Sequence, residues 1–165
     1  MGGFYAPFYK ILKNNIMFTE SCYIRKNTSE LRDRLKKLGK EVCVCCTFAD
    51  NIWLCSDSKY VHGIGGFDDV EPYTQEGALK RFVEENPKYI DCGENEELFL
   101  AIALMQDDVD KNQWFKTNNG VEIDTYTSPS YKEWYLFTGK EVNFPFDKYH
   151  KATVNELIKY FKKGE

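Results

Sequence analysis

The sequence predicts an α+β fold of duplicated β-α-β-β units. In this fold antiparallel sheets pack on a buried central helix, and a C-terminal amphipathic helix follows. The first observation is a repeat: Tyr23-Ile24 followed by Glu30-Leu31 recurs as Tyr89-Ile90 followed by Glu97-Leu98. In both copies a strand-like apolar dipeptide leads through a polar stretch into a helix, which is typical of a duplicated structural unit.

Two further observations support this fold class. Residues 98–105 are apolar in unbroken succession, so a helix there is buried on every side, yet it is too short to span a membrane. Thr153 with Glu156 forms a capping box ahead of an apolar stripe, which predicts the closing amphipathic helix. We place one domain at 17–165, with the pseudo-repeat at 17–66 and 88–138, after an irregular arm at 1–16.

The first unit begins with a strand within residues 17–25, where apolar side chains alternate. Asn27 with Glu30 predicts a capping box that opens a helix, and Gly39 supplies a left-handed stop. Residues 41–64 are rich in β-forming side chains. Breaks at 49–51 and 56–58 predict three antiparallel strands joined by hairpin turns. The buried stripe of the helix is Leu31, Leu35 and Leu38.

A second helix is expected from Thr74, as its cap, to about Asn86, where Pro87 ends it. The second unit starts at Lys88 and contains the apolar helix at 95–105. Asn118-Asn119-Gly120 predicts a hairpin between strands at 113–116 and 121–126, and a further strand is expected at 134–137. The inward positions of the second helix are Ala78, Leu79, Phe82 and Val83.

Charge is distributed unevenly along the chain. Residues 1–66 carry ten basic and six acidic groups, residues 67–124 five and fifteen, and residues 125–165 seven and five, which sum to −4. A negative total argues against generic nucleic-acid binding, which depends on neutralising phosphates. The basic N-terminal part favours a small anionic ligand, and complementary faces leave a homo-oligomer open. Solvated helix faces of mixed charge explain the same pattern without a partner.

Six cysteines occur without a leader-like segment, and no apolar stretch is long enough to cross a bilayer. We therefore expect a cytosolic protein with free thiols and no membrane partner. Cys43-Val44-Cys45-Cys46 with Cys55 and His62 has the chemistry of a zinc site. On a strand, however, Cys43 and Cys45 face one side and Cys46 the other, so we expect these residues not to converge, and we expect no metal and no cofactor.

Two other patterns fall short of a known site. Residues 108–112 match the first positions of a calcium loop, but Gln113 replaces the turn glycine and Asn119 stands where a bidentate Glu is required. The Gly-rich stretch at 62–66 follows a hairpin and does not open a helix, so it predicts neither a P-loop nor a dinucleotide site. A flexible loop whose N–H groups approach a ligand is left open as an alternative.

Two parts of the chain resemble small uncharacterised accessory proteins of phages and prophages of gut bacteria. The first runs from Tyr89 to Ala103 and continues through Asp107-Asp108 and Asp110 to Phe115, and the second runs from His150 to Ile158. The resemblance covers residues 17–163 and brings no established activity or catalytic residues. It implies a phage origin, action in the host cell cytosol and a role in countering a host defence.

The 26 aromatic residues, 12 Phe, 11 Tyr and 3 Trp, favour a binding surface. Our first hypothesis is a non-enzymatic binding module of phage type that sequesters a nucleotide-like signal or masks a host protein. Bases would stack on aromatic rings while cations contact phosphate. The alternatives are a small hydrolase using His62 with acidic residues near 107–110, and a structural or protein-interaction domain that docks through residues 1–16. The expected ligand contacts are Arg25, Trp53, Tyr60, His62, Lys111, Asn112, Trp114, Trp134 and Tyr135.

Overall fold

Strand pairing divides the chain between two sheets. A computed structural model describes residues 18–65, 75–119 and 132–163, and in these ranges it confirms an α+β fold with four α-helices and sheets of five and three strands. The expected arm at 1–16, the helix cap at Thr74 and the strand at 121–126 lie outside the described residues.

The larger sheet has the strand order β2-β4-β3-β1-β5. Strand β1 pairs antiparallel with β3 and parallel with β5, while β4 pairs antiparallel with β3 and parallel with β2. The prediction of three antiparallel strands within 41–64 was therefore wrong for the first of them, because β2 runs parallel to β4. The strands are β1 (Cys22–Ile24), β2 (Glu41–Val42), β3 (Trp53–Asp57), β4 (Tyr60–Ile64) and β5 (Ile90–Asp91).

The smaller sheet contains β6 (Gln113–Thr117), β7 (Trp134–Phe137) and β8 (Tyr149–Lys151) in the order β7-β6-β8, with antiparallel pairs. The strand expected at 134–137 is confirmed. The duplicated unit is not confirmed, because β5 joins the sheet of the first unit while β6 and β7 belong to a separate sheet.

The helices are α1 (Ser29–Lys37), α2 (Gln75–Glu85), α3 (Glu96–Ala103) and α4 (Val154–Phe161). Local sequence explains most of their ends. Gly39 has a φ of 97° directly after α1, Asn95 caps α3 by accepting from the N–H of Leu98, and Thr153 with Glu156 forms both bonds of the predicted capping box of α4.

The cap of α1 differs from the prediction. Thr28, not Asn27, accepts a hydrogen bond from the N–H of Leu31. The Asn27 amide instead donates to the carbonyls of Cys46, at 2.7 Å, and Asn51, at 2.5 Å. Asn27 therefore joins the start of α1 to the segment between β2 and β3.

Helix α3 is buried as its composition predicts, since every residue from Leu98 to Leu104 is buried. One sheet face, represented by Cys22, Ile24 and Leu54, packs in the same core as α1, α3 and α4. A second apolar cluster lies under the smaller sheet and contains Phe115, Phe144 and Tyr149.

Among the helices that the structure describes, none is both long and apolar enough to span a membrane.

Candidate functional site

Four of the expected ligand contacts lie on or beside one face of the larger sheet. Residues paired across neighbouring strands point to the same side of a sheet. Tyr23 pairs with Cys55, Cys55 with His62, and Asp57 with Tyr60, so all these side chains lie on the side opposite the main core. We call this side the aromatic face and define it by Tyr23, Trp53, Tyr60 and His62. It contains three of the nine expected contacts, and Arg25 lies at its edge.

Arg25 and Trp53 do come together, with the guanidinium carbon 5.2 Å from the ring centroid. The guanidinium is also paired with Asp91 at 2.6 Å. Trp53 stacks on Tyr23 at 5.6 Å, and Phe82 of α2 packs edge-on against Tyr23. This end of the face is therefore a packed layer partly covered by α2, and its cation already has an anionic partner.

The remaining aromatic contacts lie on the smaller sheet. Trp114 and Trp134 pack against Tyr160 of α4, with ring centroids 5.8 Å and 4.4 Å from it. Tyr135 lies on the opposite face, against Phe144, and donates to Glu141. These rings connect elements of the fold to one another, and they do not converge with Trp53 into one stacking site.

Lys111 and Asn112 form the turn that leads into β6. Asn112 has a φ of 62° and its N–H donates to the carbonyl of Phe137 at 2.7 Å, while Lys111 is exposed beside Gly139. Their role in the described structure is to position the start of the strand.

A pocket that sequence reasoning missed lies between the segment before β1, the end of α3, the start of β6 and the segment that leads from β8 into α4. It has a volume of about 310 Å³, at the lower end of the range for small-molecule sites. We call it the junction pocket. Its polar lining is Thr19, Glu20, Gln106, Asp107, Gln113, Lys151 and Thr153, and its apolar lining is Ala101, Met105, Trp114, Ala152, Val154 and Leu157. These segments are far apart in sequence, so no local motif marks the pocket.

Lys151 is the one basic side chain among the described residues of this lining, and its ammonium already contacts groups of the protein. The ammonium of Lys151 donates to the carbonyls of Gln106, Asp107 and Val109 at 2.7–3.1 Å and pairs with Asp110 at 3.3 Å. An ammonium has three protons to donate, so these partners satisfy it. Lys151 therefore fixes the segment after α3, and Asp110 offsets its positive charge.

Three acceptors in the lining have no partner among the described residues. Oε1 of Gln106 is buried without a hydrogen bond. The carboxylates of Glu20 and Asp107 form no ion pair or hydrogen bond with the described part of the chain. The pocket therefore combines apolar walls with one buried unsatisfied acceptor, Oε1 of Gln106, and with negative charge from the half-buried Glu20 and the exposed Asp107.

A second group of chemically capable residues lies beside β4. The Sγ atoms of Cys43 and Cys45 and a ring nitrogen of His62 all lie within 4.8 Å of one another. The expectation that the five residues would not converge was wrong for these three, because residues 44–47 form a 3₁₀ turn that shortens the distance between Cys43 and Cys45. Cys46 and Cys55 are buried and lie outside the group. We call this group the Cys-Cys-His cluster.

Burial separates the cysteines into two classes. Burial raises the pKa of Cys46 and of Cys55 to about 12 and that of Cys22 well above its usual value. Cys43 is exposed, and the backbone N–H of Cys45 lowers the pKa of its thiol. Cys43 is thus the thiol best prepared to act as a thiolate.

Strand β4 also changes the interpretation of the Gly-rich stretch. Residues 60–64 are a regular strand, and the N–H of Gly63 donates to Sγ of Cys45 at 3.5 Å. The strand expected up to residue 64 is confirmed, and the alternative of a flexible loop is wrong for residues 62–64.

Comparison of the chain with models of protein families, with curated proteins and with solved structures finds no match.

Proposed function

We propose that the protein is a non-enzymatic binding module that takes a small organic cation with an apolar body in the junction pocket. The observation that carries the proposal is the set of unpartnered acceptors in the lining: Oε1 of Gln106 and the carboxylates of Glu20 and Asp107. Of these, only Oε1 of Gln106 is buried. A buried acceptor without a donor costs about 1–3 kcal/mol, so a ligand that donates an N–H group to this atom recovers that free energy.

Charge determines the class of ligand. Asp110 offsets the positive charge of Lys151, so the carboxylates of Glu20 and Asp107 give the surroundings of the pocket a net negative charge. A protonated amine or amidine would donate to these acceptors while its apolar part contacts the walls formed by Met105, Trp114 and Leu157.

The wider hypothesis of a phage-type module that counters a host defence stays a prediction. So do its versions with a nucleotide-like signal or a masked host protein, and so does residence in the host cytosol. The junction pocket favours a cation over an anion, so a nucleotide would need another surface. The two basic residues expected to bind phosphate lie apart: Arg25 pairs with Asp91 at the edge of the larger sheet, and Lys111 lies beside Gly139 in the turn before β6.

The alternative of a hydrolase receives no support from the described contacts. His62 lies in the Cys-Cys-His cluster, whereas Asp107 lines the junction pocket and Asp110 pairs with Lys151. No hydrogen bond or ion pair joins His62 to an acid in the ranges that the structure describes. The interaction domain that docks through residues 1–16 concerns residues outside those ranges.

Calorimetric titration with benzamidine and with neutral benzamide tests the proposal, because the two probes have similar shape and differ in charge. One charge contact in a partly exposed site stabilises binding by about 1 kcal/mol, so benzamidine is expected to bind at least about fivefold more tightly than benzamide. Equal affinities, or no heat from either probe, would contradict the proposal. Adenosine monophosphate in the same titration tests the nucleotide version, and its recovery intact after incubation tests the hydrolase.

Variants locate the binding. The double variant Glu20→Gln with Asp107→Asn is expected to remove the preference for benzamidine, and Ala101→Leu is expected to fill the pocket and abolish binding of both probes. A matched control, Glu94→Gln with Glu133→Gln, removes two charges at exposed positions outside the lining. Loss of the preference in the control as well would show that net charge, and not the pocket, attracts the cation.

A further inference from the structure

Strand register places Cys43 beside His62. Strand β2 runs parallel to β4 with Glu41 opposite Tyr60 and Val42 opposite Val61. The N–H of Cys43 continues this ladder by donating to the carbonyl of Val61 at 2.9 Å. Because side chains alternate between faces, Cys43 projects on the same side as Glu41, Tyr60 and His62.

The 3₁₀ turn then returns Cys45 to the same place. The N–H of Cys46 donates to the carbonyl of Cys43, and that of Phe48 to the carbonyl of Cys45, each at 3.1 Å. Two asparagine amides hold the turn from outside: Asn27 donates to the carbonyl of Cys46 and Asn51, at 2.8 Å, to that of Cys45. The position of Cys45 is therefore fixed by the surrounding fold.

We propose that Cys43, Cys45 and His62 form a Zn²⁺ site with two thiolates and one imidazole as ligands and a fourth coordination position open to solvent. Zinc binds sulfur at about 2.3 Å and imidazole nitrogen at about 2.0–2.1 Å in a tetrahedron, which places ligand atoms about 3.6–3.8 Å apart. The three atoms already lie within 4.8 Å of one another, so small side-chain rotations close the site.

The surroundings fit a thiolate site. The N–H of Gly63 points to Sγ of Cys45, and a donor of this kind stabilises a metal-bound sulfur and orients it. Neither cysteine is in a disulfide, so both sulfur atoms can act as ligands. Sulfur and nitrogen ligands favour Zn²⁺ over Mg²⁺ or Ca²⁺, which prefer oxygen.

The fourth coordination position of the proposed Zn²⁺ site is open because the group lies at the surface. Cys43 and His62 are exposed, and no fourth His, Cys, Asp or Glu joins them in the part of the chain that the structure describes. Three protein ligands with one open position are typical of zinc that binds water or an external ligand. This site is separate from the junction pocket, because the two share no residue.

Cobalt substitution of the full-length, reduced protein tests the site directly. We expect one equivalent of Co²⁺ to produce a thiolate-to-cobalt charge-transfer band and the strong visible bands of tetrahedral Co²⁺, and Zn²⁺ to displace both. X-ray absorption at the zinc edge is expected to show two sulfur scatterers and at least one imidazole. Absence of the charge-transfer band from the reduced wild-type protein would overturn the proposal.

Variants assign the ligands. Cys43→Ser, Cys45→Ser and His62→Ala are each expected to weaken Zn²⁺ binding by at least about 100-fold, because loss of a second-shell partner alone costs about 10–100-fold. The matched control is Cys55→Ala, which removes a thiol directly across the strand pair from His62 but outside the cluster. Unchanged Zn²⁺ affinity in Cys43→Ser with Cys45→Ser would overturn the proposal. Circular dichroism verifies that each variant is folded, and the zinc-edge spectrum of the wild type provides a test that needs no variant.

Discussion

Lys40 is a buried cation whose titration should be measurable as a change in stability. Its side chain is almost fully buried, and its ammonium donates to Oγ of Ser56 at 2.9 Å and to the carbonyl of Ser58 at 2.5 Å. The ammonium also lies 3.6 Å from the ring centroid of Phe18. Burial nevertheless lowers the pKa of Lys40 from 10.5 to about 8, and the neighbouring Cys22 and Asp57 only partly oppose this shift.

The direction in which stability changes with pH follows from the pKa of Lys40, which is about 8 in the folded state and 10.5 in the unfolded state. Below pH 8 both the folded and the unfolded chain hold the proton, and the folded state bears the full cost of the buried charge, about 3 kcal/mol. Between pH 8 and pH 10.5 the folded state releases the proton first. Because the unfolded state then binds more protons, stability rises with pH.

The substitution Lys40→Met isolates this contribution, because methionine keeps the apolar stem and cannot titrate. We expect the free energy of unfolding of the wild type, relative to Lys40→Met, to increase by about 1 kcal/mol between pH 7 and pH 9. Urea unfolding of both proteins at each pH, under reducing conditions, measures the difference. Groups that titrate in both proteins, such as Cys55 and Tyr89, cancel in this comparison. A difference that stays constant between the two pH values would refute this reasoning.

Two further substitutions test packing. At Gly63 an added Cβ would lie 2.8 Å from Cβ of Asn51 and 3.1 Å from Cα of Cys46. Gly63→Ala should therefore destabilise the fold by about 1–3 kcal/mol in urea unfolding, and it should weaken Zn²⁺ binding because the 3₁₀ turn is displaced. Unchanged stability together with unchanged Zn²⁺ affinity would contradict the close contact. Phe99 is fully buried in α3, and Phe99→Ala should cost about 3–5 kcal/mol in the same assay, whereas a loss below about 1 kcal/mol would show that α3 is not packed as described.

The sequence was most informative where a structure depends on neighbouring residues. The capping box at Thr153, the left-handed stop at Gly39 and the complete burial of Leu98–Leu104 follow from local chemistry and helical periodicity. Strand pairing depends on contacts between distant residues, and for that reason the parallel direction of β2 and the separation of β6 from β5 could not be derived from local patterns.

The same difference between local patterns and contacts between distant residues explains why the sequence did not predict the candidate sites. On a strand Cys43 and Cys45 share one face, but their Cα atoms are about 7 Å apart. The 3₁₀ turn brings Cys45 closer to Cys43, and it is held by the amides of Asn27 and Asn51. Local patterns predicted a helix cap at Asn27 and a hairpin turn at Asn51, and neither pattern predicts these hydrogen bonds. The junction pocket is formed by Glu20, Gln106 and Lys151, and their proximity depends on how the two sheets are placed. Aromatic content predicted a binding surface, but most of these rings pack against one another within the fold.

The burial of α3 has a consequence for synthesis of the chain on the ribosome. Its apolar surface is covered partly by α4, where Leu157 joins the same core and the carbonyl of Phe161 accepts from the amide of Asn95. Met105 and Leu157 are 52 residues apart (157 − 105), which at ordinary elongation rates corresponds to roughly 3–10 s. During that interval the part of the apolar surface of α3 that α4 covers stays exposed on the nascent chain, and exposed apolar surface of this kind is what chaperones bind. Completion of the core therefore waits for α4 to leave the exit tunnel.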